Sequence, residues 1–347
     1  MQVLPQSDSP RLSRRRVLAG LVSAGVAMSL RGGAVEAASA TGDRIVDVHA
    51  HYYPPVLKAL GTPGPMNAWS LQKHLEEMEA AGVARSLLSL TTPGIVVPGD
   101  EGRKLMRESN EWAAKTCGEQ RGKLGFFTCV QLEDIEGSLK EIEHGFDVLK
   151  AQGVGLFTSY GNRWLGDPYF DPVFAELDRR KAIVYVHPTS AACCGGLIPG
   201  VFDTLIEYGT DTTRAIASYI YRGAARRFPN VKMIWSHSGG TMPFLIERFD
   251  GADRAPAARA EAPEGFRAAA SKFFYDIAQA SNPVATTALR SVVPVDHIVF
   301  GTDYPFRTPL EHVKALQAGG IFKRAELRGV YRSNVEQFLP ALVSGWQ

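Results

Sequence analysis

With 347 residues, 45% of them hydrophobic and 21% charged, the chain has the make-up of an ordinary globular protein and enough length for a barrel-sized core. Its formal net charge is +2, and five basic against two acidic residues fall in the first forty, so the remainder is close to neutral. No nucleic-acid partner or charged membrane face is expected, and four cysteines without a C-x-x-C spacing predict neither a zinc ribbon nor a disulfide framework.

The amino terminus reads as an address. SRRRVLA (Ser13 to Ala19) is basic, the apolar run Val17 to Leu30 follows it, and Ala38-Ser39-Ala40 has the A-x-A cleavage pattern. A membrane span takes about 20 apolar residues, more than this run offers, so no stable membrane anchor is predicted. Paired arginines before the apolar run resemble a twin-arginine export signal with Val17 at the usual Phe position; a general secretory signal is the alternative. Residues 1–40 are thus assigned to a twin-arginine-type signal peptide, and residues 41–347 to one folded domain in the periplasm or outside the cell.

The mature chain begins with VDVHAHYYPP (Val46 to Pro55), an extended stretch whose alternation predicts Asp47, His49 and His51 on one face and Val46, Val48 and Ala50 on the other. A helix over Trp69 to Gly82 follows, with Leu71, Leu75, Met78 and Ala81 at helical spacing, and then a strand over Ser86 to Thr91. The unit repeats: helix Asp100 to Glu119 and strand Lys123 to Val130, then helix Glu133 to Gln152 and strand Val154 to Thr158. Helix Asp171 to Lys181 precedes strand Ala182 to His187, and helix Asp211 to Phe228 precedes strand Val231 to Ser236. Strands Phe273 to Ala278 and His297 to Thr302 complete the set. Eight apolar strands alternating with amphipathic helices predict a (β/α)8 TIM barrel, with an open doubly wound sheet as the alternative. The longest connections follow strand carboxyl ends, the face on which barrel active sites are built.

Sorted on this frame, His49 and His51 end strand one, His187 ends strand five, His237 follows strand six and Asp303 ends strand eight. Two histidines on a strand are not yet a metal site, but ligand-type residues at the same end of four strands point to one. His49, His51, His187 and Asp303 are assigned as ligands of one divalent ion, with a position left open for water or substrate. Zinc suits three imidazoles and a carboxylate, and manganese or iron is compatible with the same ligand types. His237 is assigned as an unligated acid/base. His74, His144, His297 and His312 fall on helices or at the opposite strand end and read as ordinary surface or core residues.

The motifs VDVHAHYYP, YVHPT, WSHSGGTMPFLIER and GTDYPF resemble those of the amidohydrolase superfamily, in the branch of aminocarboxymuconate-semialdehyde and salicylate-type decarboxylases. LLSLTTPGI, LGDPYFDPVFAELDRRKAIVYVHP and DTTRAI look closest to 6-methylsalicylate decarboxylases. The strand-four end reads Leu156-Phe157-Thr158-Ser159, without the carboxylated lysine of binuclear relatives, so one metal is implied. The resemblance further implies that Asp303 hands a proton to the substrate carbon, that Arg248 reaches a neighbouring subunit's site, and hence a homodimer. Arg163 and Trp164, in the loop after strand four, are further candidates for contact with a small carboxylic acid substrate, as is Arg307 beyond Asp303.

Three functions are open on these residues. The first is nonoxidative decarboxylation of a small aromatic or unsaturated carboxylic acid. The second is metal-dependent hydrolysis of a lactone, ester or amide, which the same ligands serve, and the third is binding of a small acid by an exported protein without turnover.

Overall fold

The computed structural model describes residues 44–61, 65–91, 97 and 99–340; the assigned signal segment lies outside the described residues. Eight parallel strands form one sheet: β1 (Ile45–His51), β2 (Val83–Ser89), β3 (Leu124–Cys129), β4 (Gly153–Phe157), β7 (Ile183–His187), β8 (Lys232–Trp235), β9 (Phe274–Asp276) and β10 (Ile298–Val299). A two-stranded hairpin, β5 (Ser159–Tyr160) with β6 (Arg163–Trp164), is inserted after β4. The sheet closes where the segment after β10 returns to β1, with Val48 N donating to Phe300 O at 3.0 Å and His51 N to Tyr304 O at 2.8 Å. This bears out the (β/α)8 barrel. No helix among the described residues is long and apolar enough to cross a membrane.

Local chemistry sets the element ends. Helix Leu71–Ala81 starts where the Ser70 side chain accepts from Lys73 N and stops at Gly82 in the left-handed conformation. Thr308 and Glu311 cap helix Pro309–Gly319 reciprocally. Two boundaries depart from the periodicity. The predicted helix from Glu133 to Gln152 is an α-helix over Ile135–Glu143 continued by a π-turn over His144–Val148. Helix Asp203–Tyr221 begins eight residues ahead of Asp211, because its first turns expose Leu205 and Ile206 and so carry no buried stripe to read.

The first strand also departs from strict alternation. Against β2 it runs Asp47 with Ser86 but Ala50 with Leu88, three steps against two, so β1 holds one extra residue between Asp47 and Ala50. Val46 and Val48 pack in a cluster with Leu87, Phe127, Tyr185, Ile234 and Val299, while Ala50 packs in the larger cluster that the helices cover. A bulge re-aims a side chain. With it, His49 lies beside His51 although Val48 packs in the inner cluster too. Cys193 and Cys194, in the loop after β7, are joined as a vicinal disulfide, a pairing that the lack of paired spacing did not predict.

Candidate active site

The carboxyl ends of β1, β7 and β8 and the turn after β10 bring His49, His51, His187, His237 and Asp303 together. His49 Nε2 lies 3.1 Å from His51 Nε2, and Asp303 Oδ1 lies 2.9 Å from His51 Nε2 and 3.3 Å from His49 Nε2. His187 Nε2 is 3.9 Å from the same oxygen. His237 completes a group with His49, His187 and Asp303 whose ligand atoms all fall within 4.8 Å of one another.

The other ring nitrogen decides what these atoms are. His187 Nδ1 lies 2.8 Å from Pro188 O and His237 Nδ1 lies 3.0 Å from Ala278 O. A carbonyl oxygen only accepts, so both rings carry their proton on Nδ1 and present a bare Nε2 lone pair. His49 Nδ1 likewise donates to Asp276 Oδ2 at 2.8 Å, and His51 Nδ1 faces Ser89 O at 3.3 Å and Ser89 Oγ at 3.1 Å. Four lone pairs and a carboxylate oxygen therefore face one another.

Only a positive charge among them makes that arrangement favourable. One proton on His49 is the minimal form: burial opposes it, but Asp276 and Asp303 push the ring up to about 10. A divalent cation is the fuller form. Metal–nitrogen and metal–oxygen distances near 2.0–2.2 Å place neighbouring ligand atoms roughly 3 Å apart, close to the spacing among His49, His51 and Asp303. Burial holds His51 below its ordinary value and pushes His187 and His237 down to about 4, which keeps all three neutral and available as donors to an ion. The residues present fit one divalent ion.

The surroundings hold this set in place. Asp276, at the end of β9, is fully buried and accepts from His49 Nδ1, His237 N and Ala278 N. Burial alone would raise its pKa, but the His49 charge holds it below the usual value. It does not stand out in the sequence, where the only signal is one aspartate in the apolar run FFYDIA. Asp47 accepts from His49 N at 3.0 Å and Thr302 Oγ1 at 2.6 Å, below the ligand atoms, and burial pushes it up to about 7. Gly301 lets the chain pass, since a Cβ there would meet the Cβ atoms of His49 and Asp276. Of the six non-glycine residues with positive φ among the described residues, four (His237, Ser238, Gln279 and Asp303) line the cavity over this cluster, local strain of the sort found at functional sites.

That cavity has a volume of about 710 Å³. Met66, Leu205, Pro243, Phe244 and Phe306 supply apolar wall, while Thr91, Tyr208, Thr241 and Gln279 supply polar groups. Gln279 Nε2 donates to Asp303 Oδ2 at 3.2 Å, the oxygen turned away from the histidines. No lysine or arginine lines the cavity among the described residues. Of the predicted substrate contacts, Trp164 is engaged elsewhere, donating from Nε1 to Asp211 Oδ1 at 2.6 Å. Arg163 is exposed and lies over the Tyr169 ring, 4.4 Å from its centroid. Neither lines the cavity; β6 packs against helix Asp203–Tyr221 instead. Arg248 is exposed on the short helix Ile246–Ala252 and also lies off the cavity wall of its own chain.

Comparison with known proteins agrees with this geometry. The amidohydrolase family matches residues 46–340. A 6-methylsalicylic acid decarboxylase of Penicillium expansum is 34% identical over 273 residues, 75% of this chain and 84% of that one. A 2-amino-3-carboxymuconate-6-semialdehyde decarboxylase of Dictyostelium discoideum is 25% identical over 69% of this chain and 68% of its own. Among solved structures, 5-carboxyvanillate decarboxylase of Sphingomonas paucimobilis superposes with a TM-score of 0.74 at 20% identity, covering 86% of this chain and 99% of that one. At that identity the likeness is one of fold. The family match and the sequence identity to curated decarboxylases bear out the resemblance read from the motifs: this chain belongs to the amidohydrolase family, among its carboxy-lyases.

Proposed function

We propose that the protein removes carbon dioxide from a small hydroxylated aromatic carboxylic acid of the 6-methylsalicylate kind. The carrying observation is the convergence of bare Nε2 atoms on Asp303 Oδ1 beneath an apolar-walled cavity. His49, His51, His187 and Asp303 would hold one divalent ion, for which zinc suits the ligand types; a 5-carboxyvanillate decarboxylase of Novosphingobium aromaticivorans contains manganese. When bound, the ion supplies Lewis-acid charge that favours the ionised form of a substrate hydroxyl.

The chain's own groups then handle the proton. Asp303 is ionised: burial opposes this, but the His187, His49 and His51 imidazoles hold it well below the usual carboxylate range. Its Oδ2 takes the phenolic proton as substrate enters and passes it to the ring carbon that bears the carboxylate. That carbon–carbon bond breaks, its electron pair returns to the ring, carbon dioxide leaves, and solvent reprotonates the product phenolate. His237, kept neutral by burial, accepts and returns protons at Nε2, with Asp276 holding its backbone.

With no cation on the cavity wall among the described residues, a second copy supplies one. Leu205 and Phe244 line the cavity and are exposed, and Leu245, next to Phe244 and three residues before Arg248, is exposed as well; exposed apolar side chains of this kind support a homodimer in which Arg248 meets the substrate carboxylate of the neighbouring site. Light scattering tests the dimer, and Arg248→Ala is expected to raise KM more than it lowers kcat. The SRRRVLA pattern supports export by the twin-arginine route, which a reporter fused to residues 1–40 tests.

The deciding experiment incubates metal-loaded protein with 6-methylsalicylate, other hydroxybenzoates and a panel of lactones. Carbon dioxide release that a chelator abolishes is the expected result. Lactone cleavage without carbon dioxide release would overturn the reading in favour of a hydrolase.

A further inference from the structure

Of the four fully or nearly buried aspartates among the described residues, Asp47, Asp276 and Asp303 touch the histidine cluster or Thr302, and Asp211 does not. Asp211 sits in helix Asp203–Tyr221 and accepts three neutral donors: Thr158 Oγ1 at 2.5 Å, Ser159 Oγ at 2.8 Å and Trp164 Nε1 at 2.6 Å. The nearest guanidinium atom, Arg214 Nη1, is 3.8 Å away. A buried carboxylate held this way fixes the direction of the hydroxyls that point at it.

Thr158 leads back to the site. With its hydrogen committed to Asp211, Thr158 Oγ1 accepts from Thr189 N at 3.1 Å, while Thr158 N donates to His187 O at 3.0 Å. Thr189 N and Pro188 O belong to the same peptide group, and Pro188 O is the acceptor of His187 Nδ1 at 2.8 Å. The donors thus run in one direction: His187 Nδ1 to the Pro188–Thr189 peptide, the peptide to Thr158 Oγ1, and Thr158 to Asp211. Hydrogen bonds aligned head to tail polarise one another. His49 meets its carboxylate, Asp276, directly; His187 has no carboxylate at Nδ1 but has this relay.

We propose that Asp211 is a positioning residue for His187, acting through Thr158 and the Pro188–Thr189 peptide to hold the Nδ1–H tautomer and strengthen Nε2 as a donor to the divalent ion. The proposal rests on the reading of His187 as a metal ligand. It also gives Trp164 a purpose away from substrate, as one of the three groups that keep Asp211 in place.

The test measures zinc affinity by chelator competition, and the absorption spectrum of the cobalt-loaded protein, for Thr158→Val, Thr158→Ser, Asp211→Asn and His187→Ala. Outer partners of metal-bound histidines are typically worth about 10- to 100-fold in affinity. Thr158→Val and Asp211→Asn are expected to lose affinity toward that range and to shift the cobalt spectrum, and Thr158→Ser, which keeps the hydroxyl, to stay near wild type. Should Thr158→Val not fold, Asp211→Asn carries the comparison. Wild-type affinity in Thr158→Val and Asp211→Asn, with only the melting temperature lowered, would overturn the relay, as would a Thr158→Ser protein as weak as Thr158→Val. Wild-type affinity in His187→Ala would instead remove the ligand reading on which the relay rests.

Discussion

His49 and His74 are both buried without exposed surface, yet they titrate in opposite directions. Burial works against the charged ring in each case. At His49 the Asp276 and Asp303 carboxylates overcome it and push the pKa up to about 10, whereas at His74 burial prevails and pushes it down to about 3. The hydrogen bonds differ in sense as well. His49 donates from Nδ1 to a carboxylate, while His74 Nδ1 accepts from Trp69 Nε1 at 3.3 Å. Burial therefore does not set a histidine's charge: His49 differs from His74 in the carboxylate at its Nδ1 and in the convergence of its Nε2 with His51 and Asp303.

Removing the shared carboxylate should break the contrast most severely. On the proposed mechanism Asp303→Ala takes away both an ion contact and the proton carrier, so metal content should fall to background and turnover by at least about 10³-fold. Metal analysis beside carbon dioxide release checks both halves. His237→Ala should separate them, keeping the ion while turnover drops by about 10²- to 10⁴-fold. A variant that loses its metal as well would move His237 from proton carrier to ligand.

Asp276→Asn tests the carboxylate that distinguishes His49 from His74. The amide oxygen can still accept from His237 N and Ala278 N, but its NH2 would face His49 Nδ1–H. The ring then relieves the clash by moving its proton to Nε2, which closes the lone pair that points into the site. Zinc affinity should fall by about 10- to 100-fold, read by competition with a chelator of known strength.

These effects show which parts of the site the sequence made legible. His49, His51, His187, His237 and Asp303 could be placed because each ends or follows a strand of a recognisable β/α repeat, and barrel geometry brings such ends together. Asp276 could not: it is one acid in an apolar strand, and its partner His49 lies 227 positions away. The bulge between Asp47 and Ala50 adds a residue to β1 without any Gly or Pro to mark it. The periodicity starts helix Asp203–Tyr221 late, at Asp211, because exposed Leu205 and Ile206 break the amphipathic pattern. The same exposure puts Leu205 on the cavity wall, so the misread boundary coincides with a functional surface.

The smallest effect belongs to the core member of the pair. His74→Leu removes the acceptor of Trp69 Nε1 and should cost about 1 kcal/mol of stability at neutral pH, with metal affinity and turnover unchanged. Its pH dependence carries more information than its size. A histidine whose pKa falls from 6.5 to about 3 on folding binds fewer protons in the native than in the unfolded chain between those values. Wild-type stability is therefore lost as pH falls from about 6.5 toward 3 by a contribution that His74→Leu lacks. Denaturant titrations at pH 7 and pH 5 should show the difference between the two proteins shrinking or changing sign on acidification. An unchanged difference would mean that His74 keeps its proton in the folded state, and that burial alone does not set it apart from His49.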